Sequence, residues 1–214
     1  KVLVYGEWDN QSKNIVPFFT ASYKESEIVE IQEKNLNKEI NFMYVGAFSK
    51  GKQPLLSVKA VEKLKSEGFN VKLNMYGFGD EFTTVKEYIV NKSLTNTVFL
   101  HGNKSKEDVK QAYKKAHLLL FISKSEGWPK VVAEAMFWSC LPVSSPVSCV
   151  PFMLDYGNRG ILVESDVSLI VSKIKELVKN QTTYQLKVEE AKKWSQKYTL
   201  EKFSNSIQNL LLDE

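Results

Sequence analysis

Residues 123 to 137, Ser-Lys-Ser-Glu-Gly-Trp-Pro-Lys-Val-Val-Ala-Glu-Ala-Met-Phe, hold two acids whose spacing can do chemistry, Glu126 and Glu134. The apolar run Leu118 to Ile122 before them reads as a buried parallel strand. Pro129 suits a first helical position, because the N–H it lacks is one a helix start leaves unbonded, so the helix is expected to begin near Trp128. Glu126 then lies in the strand-to-helix loop and Glu134 about one and a half turns into the helix, at ~1.5 Å rise per residue. Between them the backbone N–H groups of Lys130, Val131 and Val132 point out of a helix N-terminus, a place that favours phosphate or another anion. Acids that accept hydroxyls on either side of an anion site suit a polyhydroxylated phosphate ester. Acids near helix starts also occur because they suit the dipole, which accounts for Glu126 better than for Glu134, too deep to be a cap.

These residues need elements to position them. From residue 42 onward short apolar strands alternate with amphipathic helices, the pattern of an α/β, doubly wound parallel sheet covered on both faces. Strands are expected at Phe42 to Val45, Val71 to Tyr76, Thr97 to Leu100, Leu118 to Ile122, Leu141 to Ser144 and Gly160 to Val163. Helices are expected at Lys52 to Lys65, with Leu55, Val58, Val61 and Leu64 on one face, and at Asp80 to Asn91, Lys106 to Lys115 and Pro129 to Ser139. Asp166 should cap a helix holding Leu169, Ile170, Ile174 and Leu177; a second covers about 183 to 196, and Thr199 caps a last one ending near Leu212. Residues 1 to 41 carry one strand-like run, Val2 to Tyr5, and otherwise read as a polar linker. A chain that opens in mid-strand suggests the C-terminal part of something longer, with a nucleotide-binding domain at 42 to 214.

Composition narrows the classes. With 214 residues, 43% hydrophobic and 25% charged, the chain can bury a full core. No apolar stretch approaches the roughly 18 residues that span a bilayer, and the opening lacks the apolar length of a signal peptide, so a cytoplasmic location is expected. Cys140 and Cys149 have no CxxC spacing and no histidine partner nearby, which reads as reduced thiols rather than zinc or disulfide. The net charge of +4 comes from lysines scattered among glutamates, without the aromatic-basic ribbon that single-stranded nucleic acid needs, so nucleic acid is not an expected partner. A mildly basic surface is compatible with anionic substrates or with peripheral contact at the inner membrane face.

In open parallel sheets ligands bind at the carboxyl ends of the strands, so the following loops matter most. After the first strand comes Gly46-Ala47-Phe48-Ser49-Lys50-Gly51-Lys52, where Lys52 can reach a diphosphate as a point charge or merely sit at a solvated helix start. The turn Tyr76-Gly77-Phe78-Gly79-Asp80-Glu81 lacks the third glycine of the dinucleotide fingerprint, which excludes an NAD site; its glycines permit a tight turn and Asp80 can cap a helix. His101-Gly102-Asn103-Lys104-Ser105 is polar and open enough to offer backbone groups to a nucleobase, although His101 also reads as an ordinary strand-end residue, and His117 as structural. Pro142 to Pro151 is a small-residue loop that can cradle a phosphate or simply turn.

Taken in order, these segments resemble the C-terminal, donor-binding domain of retaining glycosyltransferases of the GT-B fold, in the large family-4 group. The resemblance runs over about residues 40 to 212, through Y-V-G-A-F-S-K-G-K-Q-P-L-L, Y-G-F-G-D-E, V-F-L-H-G-N, S-E-G-W-P-K-V-V-A-E-A-M, P-V-S-S-P-V and G-N-R-G-I-L-V-E-S-D. Its signature is a pair of glutamates separated by seven residues, as Glu126 and Glu134 are. The resemblance implies one Rossmann-like half of a GT-B fold and no cofactor, with a UDP- or GDP-sugar as substrate and a hexose transferred to a saccharide or lipid-linked acceptor with retention. It implies that Glu134 binds the ribose and that Glu126, with Gly127 and Trp128, binds the donor hexose. Lys52, with Lys50, would face the diphosphate beside the N–H groups of Lys130, Val131 and Val132, and His101, Gly102 and Asn103 would form the base edge. No metal is implied, and an Asp-x-Asp motif is absent.

The chain departs from the family pattern at Ala47, where an arginine is usual, at Pro129, where glycine is usual, and at Ser148 and Cys149, in place of a Gly-Gly pair. If an N-terminal domain is missing, the acceptor half of the site is missing with it, and this chain alone should not turn over. Residues 1 to 41 would then be a remnant strand and interdomain hinge, with Pro17, Phe18 and Phe19 near the cleft. Competing readings are a non-catalytic nucleotide-binding or regulatory module, another GT-B enzyme such as a nucleotide-sugar epimerase or a phosphorylase-like transferase, and a receiver-like interaction domain.

Overall fold

The computed structural model describes residues 1–6 and 12–212. The chain opens on β1 (Val2–Tyr5), paired in parallel with β2 (Ile15–Phe18) in a small sheet of its own. The main sheet comprises β3 (Ile40–Val45), β4 (Val71–Tyr76), β5 (Val98–Gly102), β6 (Leu118–Phe121), β7 (Leu141–Ser144) and β8 (Ile161–Leu162). All its pairings are parallel and its order is β5-β4-β3-β6-β7-β8. The helices are α1 (Pro54–Ser66), α2 (Phe82–Asn91), α3 (Lys106–Lys115), α4 (Lys130–Phe137), α5 (Val150–Met153), α6 (Val167–Val178), α7 (Gln181–Ser195) and α8 (Leu200–Leu212). This is the Rossmann-like, doubly wound arrangement expected from the alternation of patterns.

Burial explains why the strands could be read. In β6, Leu118, Leu119 and Leu120 are fully buried and Phe121 nearly so, because a central parallel strand is covered on both faces and must be apolar throughout. Val58, Val61 and Leu64 of α1 are likewise buried, with Leu55 half-covered at the margin of the same face. On α6 the buried set is Ile170, Val171, Ile174 and Leu177, whereas Leu169 is 50% exposed and belongs to the outer edge of that face. Asp166 caps α6 by accepting the Leu169 N–H at 2.8 Å, and Thr199 caps α8 by accepting the Lys202 N–H at 3.3 Å.

Three helix starts fall one or two residues later than expected. The helix expected from Lys52 begins at Pro54, after Gln53 takes a left-handed φ of +46°. Asp80 caps nothing: α2 begins at Phe82, with Glu81 at its N-cap position and the Glu81 N–H donating to the Phe48 carbonyl at 2.8 Å. Pro129 is extended at φ −76°, ψ 91°, so it precedes α4 instead of opening it, and Glu134 lies about one turn in, at ~1.5 Å per residue.

Of residues 1–41, positions 7–11 lie outside the described residues. The rest is more structured than a polar linker. Tyr23 and Leu36 are buried at 2% exposure, and the Lys34 ammonium donates to the carbonyls of Ala116 at 2.5 Å, Ser139 at 2.8 Å and Tyr113 at 3.1 Å. Those carbonyls are the ends of α3 and α4, where unpaired acceptors and the negative end of each helix dipole favour a cation. Burial pushes Lys34 down to about 8. Gln181 at the start of α7 completes the seat, donating to the Lys34 carbonyl at 2.7 Å and accepting the Leu36 N–H at 3.1 Å.

Candidate functional site

After β3 the chain winds out to β4 and β5, then returns to the other side of β3 as β6. Between β3 and β6 successive crossovers leave in opposite directions, and the loops beyond the strand ends part to form a crevice. One wall is the loop 46–53 and the other is 122–129. The backbone joins them at the base, where the Lys124 N–H donates to the Gly51 carbonyl at 2.9 Å. The first loop is also pressed against the turn after β4. A Cβ on Gly77 would stand 1.9 Å from the Gly46 carbonyl oxygen, and one on Gly79 2.6 Å from that of Phe48. Only glycine permits that approach, and both residues adopt positive φ, at +127° and +157°.

Across the crevice the Lys52 ammonium is ion-paired with Glu126 Oε1 and lies 5.1 Å from the centroid of the Phe121 ring. The Glu126 side chain is only 8% exposed and that of Lys52 28%, so water screens the pair less than a surface one. Burial, and then the Glu126 charge, raise the Tyr44 hydroxyl above its ordinary range, and the same two causes push the Cys149 thiol up to about 11. Lys50, from the same loop, is exposed. Ser148 occupies the left-handed region at φ +51°, where glycine costs least, and its hydroxyl donates to the Glu126 carbonyl. Cys149 Sγ reaches the Gly127 carbonyl at 3.1 Å. The pair that replaces Gly-Gly therefore still turns the chain, and it fixes the backbone of the acidic loop. A cleft of about 650 Å³ opens here, lined by Tyr5, Glu126, Gly127, Ser148, Phe152 and Tyr156 among others. Trp128 is not among the lining residues; its ring is buried against Tyr5 at 5.5 Å, with Trp194 and Tyr198 each at 6.3 Å.

Glu134 is half-buried on α4. Its Oε1 accepts the Ser22 hydroxyl at 2.5 Å and its Oε2 the Tyr113 hydroxyl at 3.4 Å. Burial first and the Glu134 charge second hold the Tyr113 and Tyr23 hydroxyls above their ordinary range. The three backbone donors at the start of α4 are not equivalent. The Val132 N–H already donates to the Pro129 carbonyl at 2.9 Å, which withdraws it from an anion, and Lys130 and Val131 remain as candidates. At the expected base edge, His101 is fixed by Asn74 Oδ1 at 2.8 Å and stacks on Tyr76 at 4.6 Å, while burial, helped by Lys104, lowers its pKa. The Gly102 carbonyl accepts the Gly77 N–H at 2.9 Å, and Asn103 is exposed.

The structure thus brings Lys52 and Glu126 into contact and gives Glu134 separate partners. Sequence reading missed Ser22, which carries no local signal, and Tyr113, whose place on α3 reads only as core. Among the described residues no three His, Cys, Asp or Glu side chains converge as metal ligands, and no helix is long and apolar enough to cross a membrane.

A family model described as glycosyl transferases group 1 matches residues 26–197, most of the chain. The chain belongs to that family. A glycosyltransferase of Methanocaldococcus jannaschii is 29% identical over 176 residues, covering 78% of this chain and 48% of that protein. The GalNAc-alpha-(1->4)-GalNAc-alpha-(1->3)-diNAcBac-PP-undecaprenol alpha-1,4-N-acetyl-D-galactosaminyltransferase of Campylobacter jejuni is 30% identical over 154 residues, covering 71% of this chain and 42% of that one. Among solved structures, an S. aureus TarM variant in complex with fondaparinux, alpha-GlcNAc-glycerol and UDP superposes with a TM-score of 0.76 at 20% identity, over 95% of this chain and 40% of that one. This group 1 glycosyltransferase chain therefore spans less than half the length of these proteins.

Proposed function

We propose that the chain is the donor-binding part of an enzyme that transfers a hexose from a UDP- or GDP-sugar to a saccharide or lipid-linked acceptor. The observation that carries this reading is the Lys52–Glu126 pair, which joins a cation and a hydroxyl acceptor from the two loops of the switch-point crevice. In this reading Lys52 exchanges Glu126 for the diphosphate, and the freed carboxylate accepts hexose hydroxyls. The Lys130 and Val131 N–H groups, with Lys50 at the rim, take up charge that develops on the leaving phosphate as the glycosidic bond breaks. Glu134 accepts the ribose hydroxyls, and the backbone of His101, Gly102 and Asn103 meets the base. Gly127 contributes backbone to the hexose side, where Trp128 acts from behind by packing.

The reaction proceeds without metal and with retention of configuration, a stereochemistry that rests on the family resemblance alone. Relatives more than twice as long support a further domain that supplies the acceptor side, with residues 1–41 as its hinge and with peripheral contact to the inner membrane face. One observation favours a second reading: Ala47 and Pro129 each remove a group that would otherwise meet the diphosphate, as expected of a non-catalytic nucleotide-binding module.

Calorimetric titration with UDP, GDP and ADP, without and then with Mg²⁺, tests the proposal. One nucleotide should bind equally well in both conditions and roughly tenfold more weakly in Glu134→Ala. Binding that needs Mg²⁺, or that is not weakened in Glu134→Ala, would contradict it. Donor hydrolysis or transfer by the full-length protein would exclude the non-catalytic module.

A further inference from the structure

Glu134 is held by a chain of contacts that begins on another helix. The Lys106 ammonium, on the first residue of α3, donates to the Ser22 carbonyl and lies 4.7 Å from the centroid of the Tyr23 ring. The Tyr23 ring is buried against Phe137 and Trp138, at the end of α4, with centroids 5.1 and 4.9 Å away. Between these anchors the Ser22 hydroxyl reaches Glu134 Oε1 at 2.5 Å, while Tyr113 approaches Oε2. An ionised carboxylate offers about four lone-pair sites, two on each oxygen. Ser22 uses one on Oε1, and Tyr113, whose single proton is shared between Oε2 at 3.4 Å and the Val131 carbonyl at 3.3 Å, uses at most one on Oε2.

We infer that Ser22 is a positioning residue of the ribose subsite, holding the Glu134 carboxylate so that one lone pair on each oxygen stays available to the two neighbouring hydroxyls of a ribose. The inference rests on the reading of Glu134 as the ribose acid. A carboxylate already confined to one rotamer loses less freedom on binding, and a paired acceptor of fixed spacing rewards a cis-diol over a lone hydroxyl. The linker residue Ser22 thereby becomes part of a site otherwise built from the main sheet. Lys106 follows directly in sequence on the loop 101–105 expected to meet the base, and its contacts run to Ser22 and Tyr23 and from Ser22 to Glu134.

The test is the discrimination between ribose and deoxyribose. The chain, Ser22→Ala, Ser22→Thr and Lys106→Met are titrated with UDP, GDP and ADP and with their 2′-deoxy forms, and thermal midpoints are recorded to confirm folding. For the nucleotide that binds, Ser22→Ala should lose about 5–10-fold in affinity for the ribo form, the worth of one hydrogen bond, and less than about 2-fold for the deoxy form. Ser22→Thr should restore the discrimination, and Lys106→Met should reduce it from outside the site. Equal losses for both forms would make Ser22 merely structural and overturn the inference. So would unchanged discrimination, or a gain in ribo affinity, which would mark Ser22 as a competitor for the carboxylate. If the unmodified chain binds none of the six ligands, the reading of Glu134 itself fails and takes this inference with it.

Discussion

The two acids eight positions apart do different work in the proposed site, and single substitutions separate them. Glu134→Ala should weaken the free nucleoside diphosphate by roughly tenfold, the scale of a lost hydrogen bond to a charged group. Glu126→Ala should leave that affinity within about 2-fold and remove most of the extra affinity of the intact sugar donor. Equal loss of free nucleotide in both variants, measured by calorimetry, would refute the division. A third residue sets an acid limit on stability. The Asn41 N–H donates to His117 Nδ1 at 3.0 Å, which requires a neutral ring, and burial first and Lys34 second push His117 down to about 4. Because its folded pKa lies below the ordinary 6.5, the unfolded chain takes up the proton first as pH falls, so stability is intact above pH 6.5 and declines from there towards 4. The contribution is on the order of 3 kcal/mol, and His117→Asn, which keeps an acceptor but cannot titrate, should flatten that part of a pH series of urea midpoints. The sequence marked Glu126, Glu134 and Lys52 through type and spacing. It could not show Ser22 on Glu134, a contact between residues 112 positions apart.

At the scale of elements, the site depends on how closely two loops approach. Gly77→Ala would drive a methyl into the Gly46 carbonyl and impose a strained φ, so it should cost roughly 3 kcal/mol and shift the 46–53 loop that carries Lys52. A denaturation curve like that of the parent chain would show that the loops part easily and that this contact is not a constraint. The six main strands were readable because parallel strands covered on both faces must be nearly continuous apolar runs. Helix starts were readable where a side chain caps locally, as Asp166 does, and less so where no side chain caps, as at Glu81 before α2. β2 escaped because Ile15–Phe18 is four residues long and contains Pro17, a combination that ordinarily argues against a strand.

For the molecule as a whole, a ligand that binds only the folded chain must raise its stability. At a hundredfold excess over Kd the bound nucleotide adds about 2.7 kcal/mol, which for a domain of this size moves Tm by roughly 5–10 °C. A thermal scan with the tightest of UDP, GDP and ADP should show that shift, and Glu134→Ala, at the same nucleotide concentration, should cut it to roughly half; an undiminished shift in the variant would place the nucleotide elsewhere. Sequence alone revealed a parallel α/β chain with its candidate loops at the carboxyl ends of the strands, but not the strand order, nor how residues 12–39 lie on the sheet, because Lys34 and Gln181 are joined only through the tertiary fold. The Lys34 seat has a practical consequence. While its amine is clasped by the ends of two helices it is shielded from acylating reagents that modify exposed lysines freely. Mass-spectrometric labelling of Lys34 would therefore count the molecules in which residues 31–39 have lifted from the helices they clasp, and serve as a built-in reporter of that release.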